Sequence, residues 1–421
     1  MTSFASLIEP DRIHGSLYTD AAIFSREMKV IFRDGWAFVG HESEVPEPGD
    51  FITRTIGSEP VLFLRNKDGE VRVFSNRCTH RGNRLCHEGR GKLRGGIMCT
   101  YHGWAFSFDG DLLAVPYEGG FTKAKENYSL RQPRMASHRG FVFATYNPDP
   151  EDFYDYLGYG KDLIDKSVSM SPAGKVRLDS GWVKHLFKAN WKMLPENQTD
   201  GYHANHVHKS FLKVFSSQYD ELKTNEEKRV GSVVDWGSGH ASIDVSERYN
   251  GPLQWLGSNE ERYPEYVKAM NEAYGENDAR KLMTEGPPHA YIFPNLFLGE
   301  ANIVIIEPVA PDLSVQHHSP MLLEGVPEGL NARIIRQSEG ALGPSGLLLA
   351  DDSVISEQQQ IALQGKSGWL EISRGVDRER VEDGKRIGHV SDETTNRGFW
   401  QHYLAKMNGS SVETPVEPEL V

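Results

Sequence analysis

The sequence predicts an α+β fold: a small all-β domain joined to a larger α+β domain that combines an antiparallel sheet with helices. Three observations carry this. Residues 38 to 150 repeat a pattern of two apolar runs around a turn. The rest of the chain mixes strand-like and helical runs. All three cysteines fall inside the first region, each near a histidine.

In chain order, "LYTDAAIFSREMKVIFRDGW" (17–36) has helical spacing, with Ile23, Met28, Ile31 and Phe32 as core contacts. "VLFLRNKDGEVRVF" places apolar runs on both sides of Asn66-Lys67-Asp68-Gly69, a hairpin signal, and "WAFSFDGDLLAV" repeats it around Asp109-Gly110. "GFVFATYN" (140–147) reads as a closing strand. The small domain is therefore set at 38–155, with 1–37 and 156–421 forming the larger one. There, 181–189 reads as a strand, 190–215 as a helix, and 232–245 and 289–309 as strands, with a polar helical stretch at 257–285 between them. Helices are expected from Asp352 to Leu363 and near 392–407, and the final "NGSSVETPVEPELV" should fray. No internal repeat is present.

Composition narrows the class. At 421 residues, with 38 % hydrophobic and 25 % charged residues, the chain can bury a core without staples. Three cysteines cannot build a disulfide framework. No run approaches the roughly 18 apolar residues of a membrane span, and "MTSFASLIEPDRIHG" lacks the features of a signal peptide. A cytoplasmic protein is expected. A net charge of −13, from 46 basic and 59 acidic residues, disfavours nucleic acid as a partner.

The cysteines and histidines fall as Cys78-x-His80 and Cys99-x-x-His102, with 18 residues between His80 and Cys99. Each half offers one thiolate and one imidazole. One tetrahedral Zn²⁺ could take all four. A Rieske [2Fe–2S] centre would put the thiolates on one iron and the imidazoles on the other. Local detail favours the second: a C-x-H half is unusual for a zinc finger, and the surrounding strands can bury their own core without a metal. Glycines at 82, 89, 91, 95, 96 and 103 would let backbone N–H groups approach the sulfur atoms. Cys86 reads as a small buried hydrophobe.

"NWKMLPENQTDGYHANHVHKS" (190–210) brings Glu196, Asp200, His203, His206 and His208 together. Two histidines and a carboxylate with open positions are the usual cage for mononuclear non-haem Fe(II). On an ideal helix His203 and His208 lie about 140° apart, so geometry alone prefers His206 as the partner of His203. The pair five apart works only if the helix is distorted or ends between them. "GPSGLLLADDSVISEQQQ" (343–360) offers Asp351 and Asp352 for the carboxylate, although aspartate at a helix start is also simply a good cap.

Taken together, these motifs resemble the α (large, catalytic) subunit of Rieske non-haem iron aromatic-ring-hydroxylating oxygenases. The resemblance covers nearly the whole chain. It rests on Cys78-x-His80 and Cys99-x-x-His102-Gly103-Trp104, then Asn190-Trp191-Lys192, Glu196-Asn197 and Asp200-x-x-His203-x₄-His208, and on Asp351-Asp352 with Glu357 and Gln360. It implies that the small domain carries a [2Fe–2S] cluster on Cys78, His80, Cys99 and His102. It also implies a mononuclear iron on His203, His208 and Asp352, the last preferred over Asp351 by its spacing to Glu357. The +5 histidine pair of the family overrules the helical preference for His206. Asp200 matches the acid that bridges the mononuclear site to a cluster on a neighbouring subunit.

The activity implied is that of a terminal oxygenase. It takes electrons from NAD(P)H through a ferredoxin and/or reductase and inserts O₂ into a small aromatic substrate, commonly by dihydroxylation; the alternative is a Rieske monooxygenase or N-/O-demethylase. Imidazole ligation raises the cluster potential above that of an all-thiolate centre, so a ferredoxin can reduce it. The resemblance also implies a homotrimer, in some members α3β3 with a small β subunit. Asn197, Phe211, Leu212 and the strand at 292–306 are the pocket candidates, and no arginine stands out among them. A Rieske electron carrier or a zinc-clipped interaction protein would not need the 190–208 and 343–360 motifs.

Overall fold

The computed structural model describes residues 4–215, 229–365 and 368–409; the end expected to fray, from 410 onward, lies outside them. β1 (Arg12–His14) leads into α1 (Ala21–Glu27), whose N-terminal amides of Ala22 and Ile23 donate to the Asp20 carboxylate at 2.7 and 3.0 Å. The helix widens into a π-helical turn over Met28–Arg33. Ile23, Met28, Ile31 and Phe32 are buried, as their spacing predicts.

Three small antiparallel sheets follow. β2 (Ala37–His41) pairs with strands further on; β3 (Asp50–Ile56), β4 (Glu59–Arg65), β5 (Val71–Ser75) and β6 (Arg90–Lys92) form one sheet in the order β5-β4-β3-β6. β7 (Ile97–Met98), β8 (Ala105–Phe106) and β9 (Leu112–Ala114) form the second, and β10 (Arg134–His138) and β11 (Phe141–Thr145) join β2 in the third. Both hairpins turn where the sequence places them. At the first, Asn66 Oδ1 accepts from the Asp68 and Glu70 amides at 3.0 and 2.8 Å, holding the turn from within. Phe51, Leu62, Leu64, Phe74, Ile97 and Phe106 pack with Cys78, Cys86 and Cys99 in one apolar cluster, so the sulfur atoms rest on a shared apolar core.

The larger region begins with α2 (Phe153–Leu157), α3 (Gly160–Val168) and β12 (Val176–Arg177). Its frame is a nine-stranded antiparallel sheet of β13 (Val183–Phe187), β14 (Ser232–Gly237), β15 (His240–Asp244), β16 (His289–Ile292), β17 (Leu296–Leu298), β18 (Asn302–Ala310) and β19 (Leu313–Pro320). Beyond β20 (Leu322–Leu323) and β21 (Trp369–Glu371), β22 (Arg380–Glu382) and β23 (Lys385–His389) complete it, in the order β13-β19-β18-β17-β16-β15-β14-β23-β22. The twofold alternation of a strand divides two cores: Ala290, Ile292, Ile303 and Ile305 face one, while Tyr291, Phe293, Val304 and Ile306 face the other. Trp36, Phe38, Phe141 and Phe143 of the small sheets enter the first of these cores. There the Asn295 side chain accepts from Phe38 N–H at 2.9 Å and donates to its carbonyl at 3.0 Å.

The helices depart from expectation in three places. The single helix expected at 190–215 is broken into α4 (Met193–Gln198), α5 (Ala204–Val207) and α6 (Lys209–Phe215). After α7 (Pro264–Tyr274) and α8 (Glu276–Glu285), α9 (Glu328–Leu342) appears with no sequence forecast. It buries only the narrow stripe Leu330, Ile334 and Ser338 and contains Gly329 and Gly340, which weakened its helical signal. Finally α10 (Leu349–Leu363) starts before Asp352, so neither Asp351 nor Asp352 is its cap residue. α11 (Thr394–Gly409) lies where a C-terminal helix is expected.

Candidate metal centres

The two Cys/His halves share one backbone design. Cys78 N–H donates to the Asn83 carbonyl (2.8 Å) and Gly82 N–H returns to the Cys78 carbonyl (2.9 Å). At the other half, Cys99 N–H donates to the Trp104 carbonyl (2.8 Å) and Gly103 N–H to the Cys99 carbonyl (3.0 Å). Each loop closes through a glycine at positive φ, +73° at Gly82 and +70° at Gly103. The other glycines close no loop of this kind. Gly91 pairs with Phe51 on β6, Gly96 sits under the Phe106 carbonyl, the Gly89 carbonyl accepts from the Thr53 amide at 2.9 Å, and a Cβ at Gly89 or Gly95 would meet nothing.

Cys78 and Cys99 are buried and face each other. Burial pushes the Cys78 thiol up to about 11, while the amides of His80 and Arg81 aim at its sulfur and oppose the rise. Burial acts on Cys99 too, but the Tyr101 and His102 amides, Cys78 and the Asn83 side chain outweigh it and hold that thiol below its ordinary value. His80 and His102 stand with ring centroids 4.6 Å apart; His80 stacks flat on Trp104 at 4.8 Å, and its Nδ1 is buried without a protein partner. Two facing sulfurs cradled by amides, two adjacent imidazoles and an unsatisfied ring nitrogen suit a [2Fe–2S] centre with mixed ligands. Cys86 lies apart in the apolar cluster, its thiol pushed up to about 12 by burial.

The second group of donors gathers around the breaks in 190–215. His203 occupies the residue before α5 and His208 the residue after it, where ψ turns to 33°. Because the segment leaves helical geometry at His208, the ideal-helix argument for His206 fails; His206 is exposed, whereas His208 is buried. His203 Nε2 lies 3.6 Å and His208 Nε2 3.3 Å from Asp352 Oδ1, and one donor atom from each of the three residues lies within 4.8 Å of the others. Donors bound to one ion at about 2.1 Å and subtending about 90–120° are roughly 3.0–3.6 Å apart, which the two histidine–aspartate separations match.

The outer ring nitrogens meet carboxylates: His203 Nδ1 is 3.3 Å from Asp200 Oδ2 and His208 Nδ1 is 3.6 Å from Asp351 Oδ2. Neither contact is a formed hydrogen bond, but the adjacent negative charge favours the proton on Nδ1 and an Nε2 lone pair that faces inward. Desolvation would lower the His203 pKa, but Asp200 and Asp352 overcome it and raise it. Asn197 points its amide into the same space, 3.1 Å from Asp352 Oδ1 and 3.4 Å from His203 Nε2. Asp200 also accepts the Tyr202 amide.

Residues flanking these donors tie three elements together. Gln360 on α10 accepts from the Asn190 amide at 2.9 Å and donates to the Tyr18 carbonyl at 3.3 Å, linking the Asp352 helix to the segment that carries the histidines. Lys192 and Glu27 form a fully buried pair at 2.5 Å; Trp191 and Tyr403 add hydrogen bonds to the same carboxylate at 2.8 and 2.6 Å. Glu196 accepts from Tyr18 and Trp400 (2.7 and 2.6 Å), and burial raises its pKa to about 7.

A cavity of about 270 Å³ adjoins His203, His208 and Asp352. Phe187, Leu194, Leu212, Ile243, Phe297, Val304 and Leu349 make much of its wall. Of the sequence candidates, Asn197, Leu212, Phe297, Glu300 and Val304 line it and Phe211 does not. Sequence reading missed three of its charged groups, Arg229, Arg248 and His289, because nothing local marks a residue as facing this space.

Comparison with known proteins agrees with this arrangement. Residues 35–128 match the model of the Rieske [2Fe-2S] domain, and residues 169–409 match that of the ring hydroxylating alpha subunit catalytic domain. The chain is 30 % identical to the 2-halobenzoate 1,2-dioxygenase large subunit of Burkholderia cepacia, over 87 % of this chain and 80 % of that one. It is 30 % identical to the anthranilate 1,2-dioxygenase large subunit of Acinetobacter baylyi, over 93 % and 89 % respectively. A solved naphthalene 1,2-dioxygenase with indole in its active site superposes with a TM-score of 0.83 at 25 % identity, covering 95 % of this chain and 93 % of that one.

Proposed function

This chain belongs to the family of Rieske ring-hydroxylating oxygenase α subunits, and from that premise we propose that it dihydroxylates a small aromatic substrate. The observation that carries the reading is the convergence of His203 Nε2, His208 Nε2 and Asp352 Oδ1 beside a largely apolar cavity. We assign those three residues to the mononuclear iron, and Cys78, His80, Cys99 and His102 to the cluster. The division is placed close to 38–155, its second boundary falling at α2 (Phe153–Leu157).

When bound, the cluster stores single electrons and the mononuclear iron supplies O₂ activation. The protein's own part is geometric. Asp200 and Asp351 place negative charge beside Nδ1 of His203 and His208, which favours the proton there and leaves both Nε2 atoms available on the inner side. Phe187, Leu194, Phe297 and Val304 exclude water and seat an aromatic ring next to the three donors. Asp351 thus acts through His208 rather than as a donor to the iron.

Electrons come from NAD(P)H by way of a ferredoxin and/or reductase. The oxygenase is a homotrimer, alone or with a small β subunit, and Asp200 carries the route from one copy's cluster to the next copy's iron. Two features support the assembly. Met98, Tyr101, Leu113, Tyr117 and Phe121 expose large apolar side chains around the cluster loops. Asp200 already contacts His203 and sits in a wall with accessible surface. Among the described residues no helix is long and apolar enough to cross a membrane.

The test is a single turnover of the reduced, iron-loaded protein with naphthalene and with benzoate under ¹⁸O₂, read by mass spectrometry. Two labelled atoms in one ring product are expected. One labelled atom, or loss of a methyl group from an N- or O-methylated ring in a parallel reaction, would overturn dihydroxylation. Asp200→Ala should retain both metal centres and lose product formation driven through the cluster; full turnover by that variant contradicts the bridge.

A further inference from the structure

The charged groups of the cavity wall are not equivalent, and following each to its partners leaves one free. His289 and Glu300 satisfy each other. His289 Nδ1 lies 3.3 Å from Glu300 Oε2 and its Nε2 lies 2.9 Å from the Gln198 carbonyl, so both ring nitrogens face groups that can only accept. The imidazole therefore carries two protons, and the pair adds no net charge to the wall. Arg229 directs its guanidinium to the Gly201 carbonyl, at the turn before His203. Asp200, His203, His208 and Asp352 belong to the metal side of the cavity.

Arg248 differs. It stands in the 3-10 turn after β15; Ile243 of that strand and Val245 just beyond it line the same cavity, and Arg248 is solvent-exposed at the rim. Its Nε donates to the Val230 carbonyl at 3.0 Å, which fixes the plane of the guanidinium. Among the described residues the two terminal nitrogens have no acceptor, and no carboxylate lies within ion-pairing distance. A guanidinium held by one edge presents the other as a planar fork, the geometry that takes a carboxylate through two parallel hydrogen bonds. The wall beside it is apolar and wide enough for an aromatic ring.

We propose that Arg248 is the specificity-determining residue of this pocket and that the preferred substrate is an aromatic ring bearing a carboxylate, which the Arg248 fork pairs at the rim while the ring lies against Ile243 and Phe297. The ring in this assignment rests on the oxygenase reading; the charge rests on Arg248, which has no counter-ion among the described residues. The chemistry at the iron is unaltered by it. Arg248 selects which molecule is held and which ring edge is turned inward.

The experiment measures equilibrium binding to the iron-loaded protein by dialysis, with two matched pairs of probes: benzoate against benzamide and 2-naphthoate against 2-naphthamide. Each pair keeps ring and shape and changes only the charge. In at least one pair the carboxylate should bind about tenfold or more tightly than the amide, in line with a charge-assisted pair. Arg248→Met, which keeps the apolar stem, should erase that ratio. Arg248→Lys, which keeps the charge and loses the fork, should retain part of it. In turnover, Arg248→Met should raise KM for the carboxylate with kcat nearly unchanged. Equal binding within both pairs, including no measurable binding of any probe, overturns the proposal, as does a ratio that survives in Arg248→Met. Carboxylate preference without oxygenated product would instead fault the oxygenase reading, and oxygenation of neutral rings without preference would fault this one alone.

Discussion

In the small domain, each metal-binding half is a closed loop of six residues whose backbone bonds start and end within it, from Cys78 to Asn83 and from Cys99 to Trp104. In the larger domain, the three donors come from the two ends of a one-turn helix and from the first turn of α10, a helix far along the chain. Nothing local holds His203, His208 and Asp352 together. Their spacing depends on Gln360 gripping the Asn190 amide and on the buried Lys192–Glu27 pair behind the same segment. One site is a property of two short loops and the other a property of the packed domain, so perturbations of packing should separate them.

The largest separation should follow Lys192→Met. Glu27 would then be a fully buried carboxylate without its cation, which costs about 3–5 kcal/mol. Urea unfolding should show that loss, and the variant should bind less mononuclear iron while keeping the visible spectrum of the cluster. Unchanged stability would mean that the pair does not hold the segment. The reverse perturbation is Gly82→Ala. A Cβ there meets only the Arg77 side chain at 3.7 Å, so its cost is the left-handed backbone alone, about 1–2 kcal/mol. It should reduce cluster content and leave mononuclear iron unchanged; equal loss at both sites would contradict the separation.

The smallest effect is one the two domains share. His41 in β2 and His240 in β15 are buried, and desolvation lowers both pKa values to about 4. The geometry agrees: each ring donates from Nε2 to a carbonyl (Arg139 and Tyr156) and accepts a backbone amide at Nδ1 (Ser43 and Phe293), so each must be neutral. A depressed folded-state pKa means that the stabilisation is present above the unfolded value of about 6.5 and is lost as pH falls toward 4. Between pH 7 and 5.5 the loss should reach about 1 kcal/mol per histidine, seen as a falling urea midpoint. His240→Gln, whose amide can both donate and accept, should flatten that slope, and an unchanged slope would exclude His240 as a contributor.

The same contrast explains what the sequence could reveal. The cluster loops are legible because their signal is local: two Cys/His halves with a glycine in each, among strands marked by Asn66–Gly69 and Asp109-Gly110. The glycine reading is still too generous, since positive φ at a loop closure distinguishes Gly82 and Gly103 and composition does not. At the second site the residue types are visible, but an ideal helix points to His206, which the fold leaves exposed. The chain leaves helical geometry at His208, where ψ turns to 33°, and periodicity assumes that it does not. Only the resemblance supplies the +5 pair. Arg248 is illegible for a different reason: its role comes from the carboxylate it lacks, which is known only once the neighbours are placed.

The claim that two separate centres sit on these two sets of residues is tested most directly by iron and sulfide content in Asp352→Ala. The wild-type protein should hold about three irons and two sulfides per chain. The variant should fall to about two irons with sulfide and the reduced-cluster EPR spectrum unchanged, and should form no product. Retention of the third iron in Asp352→Ala, or loss of the cluster with it, would contradict the account.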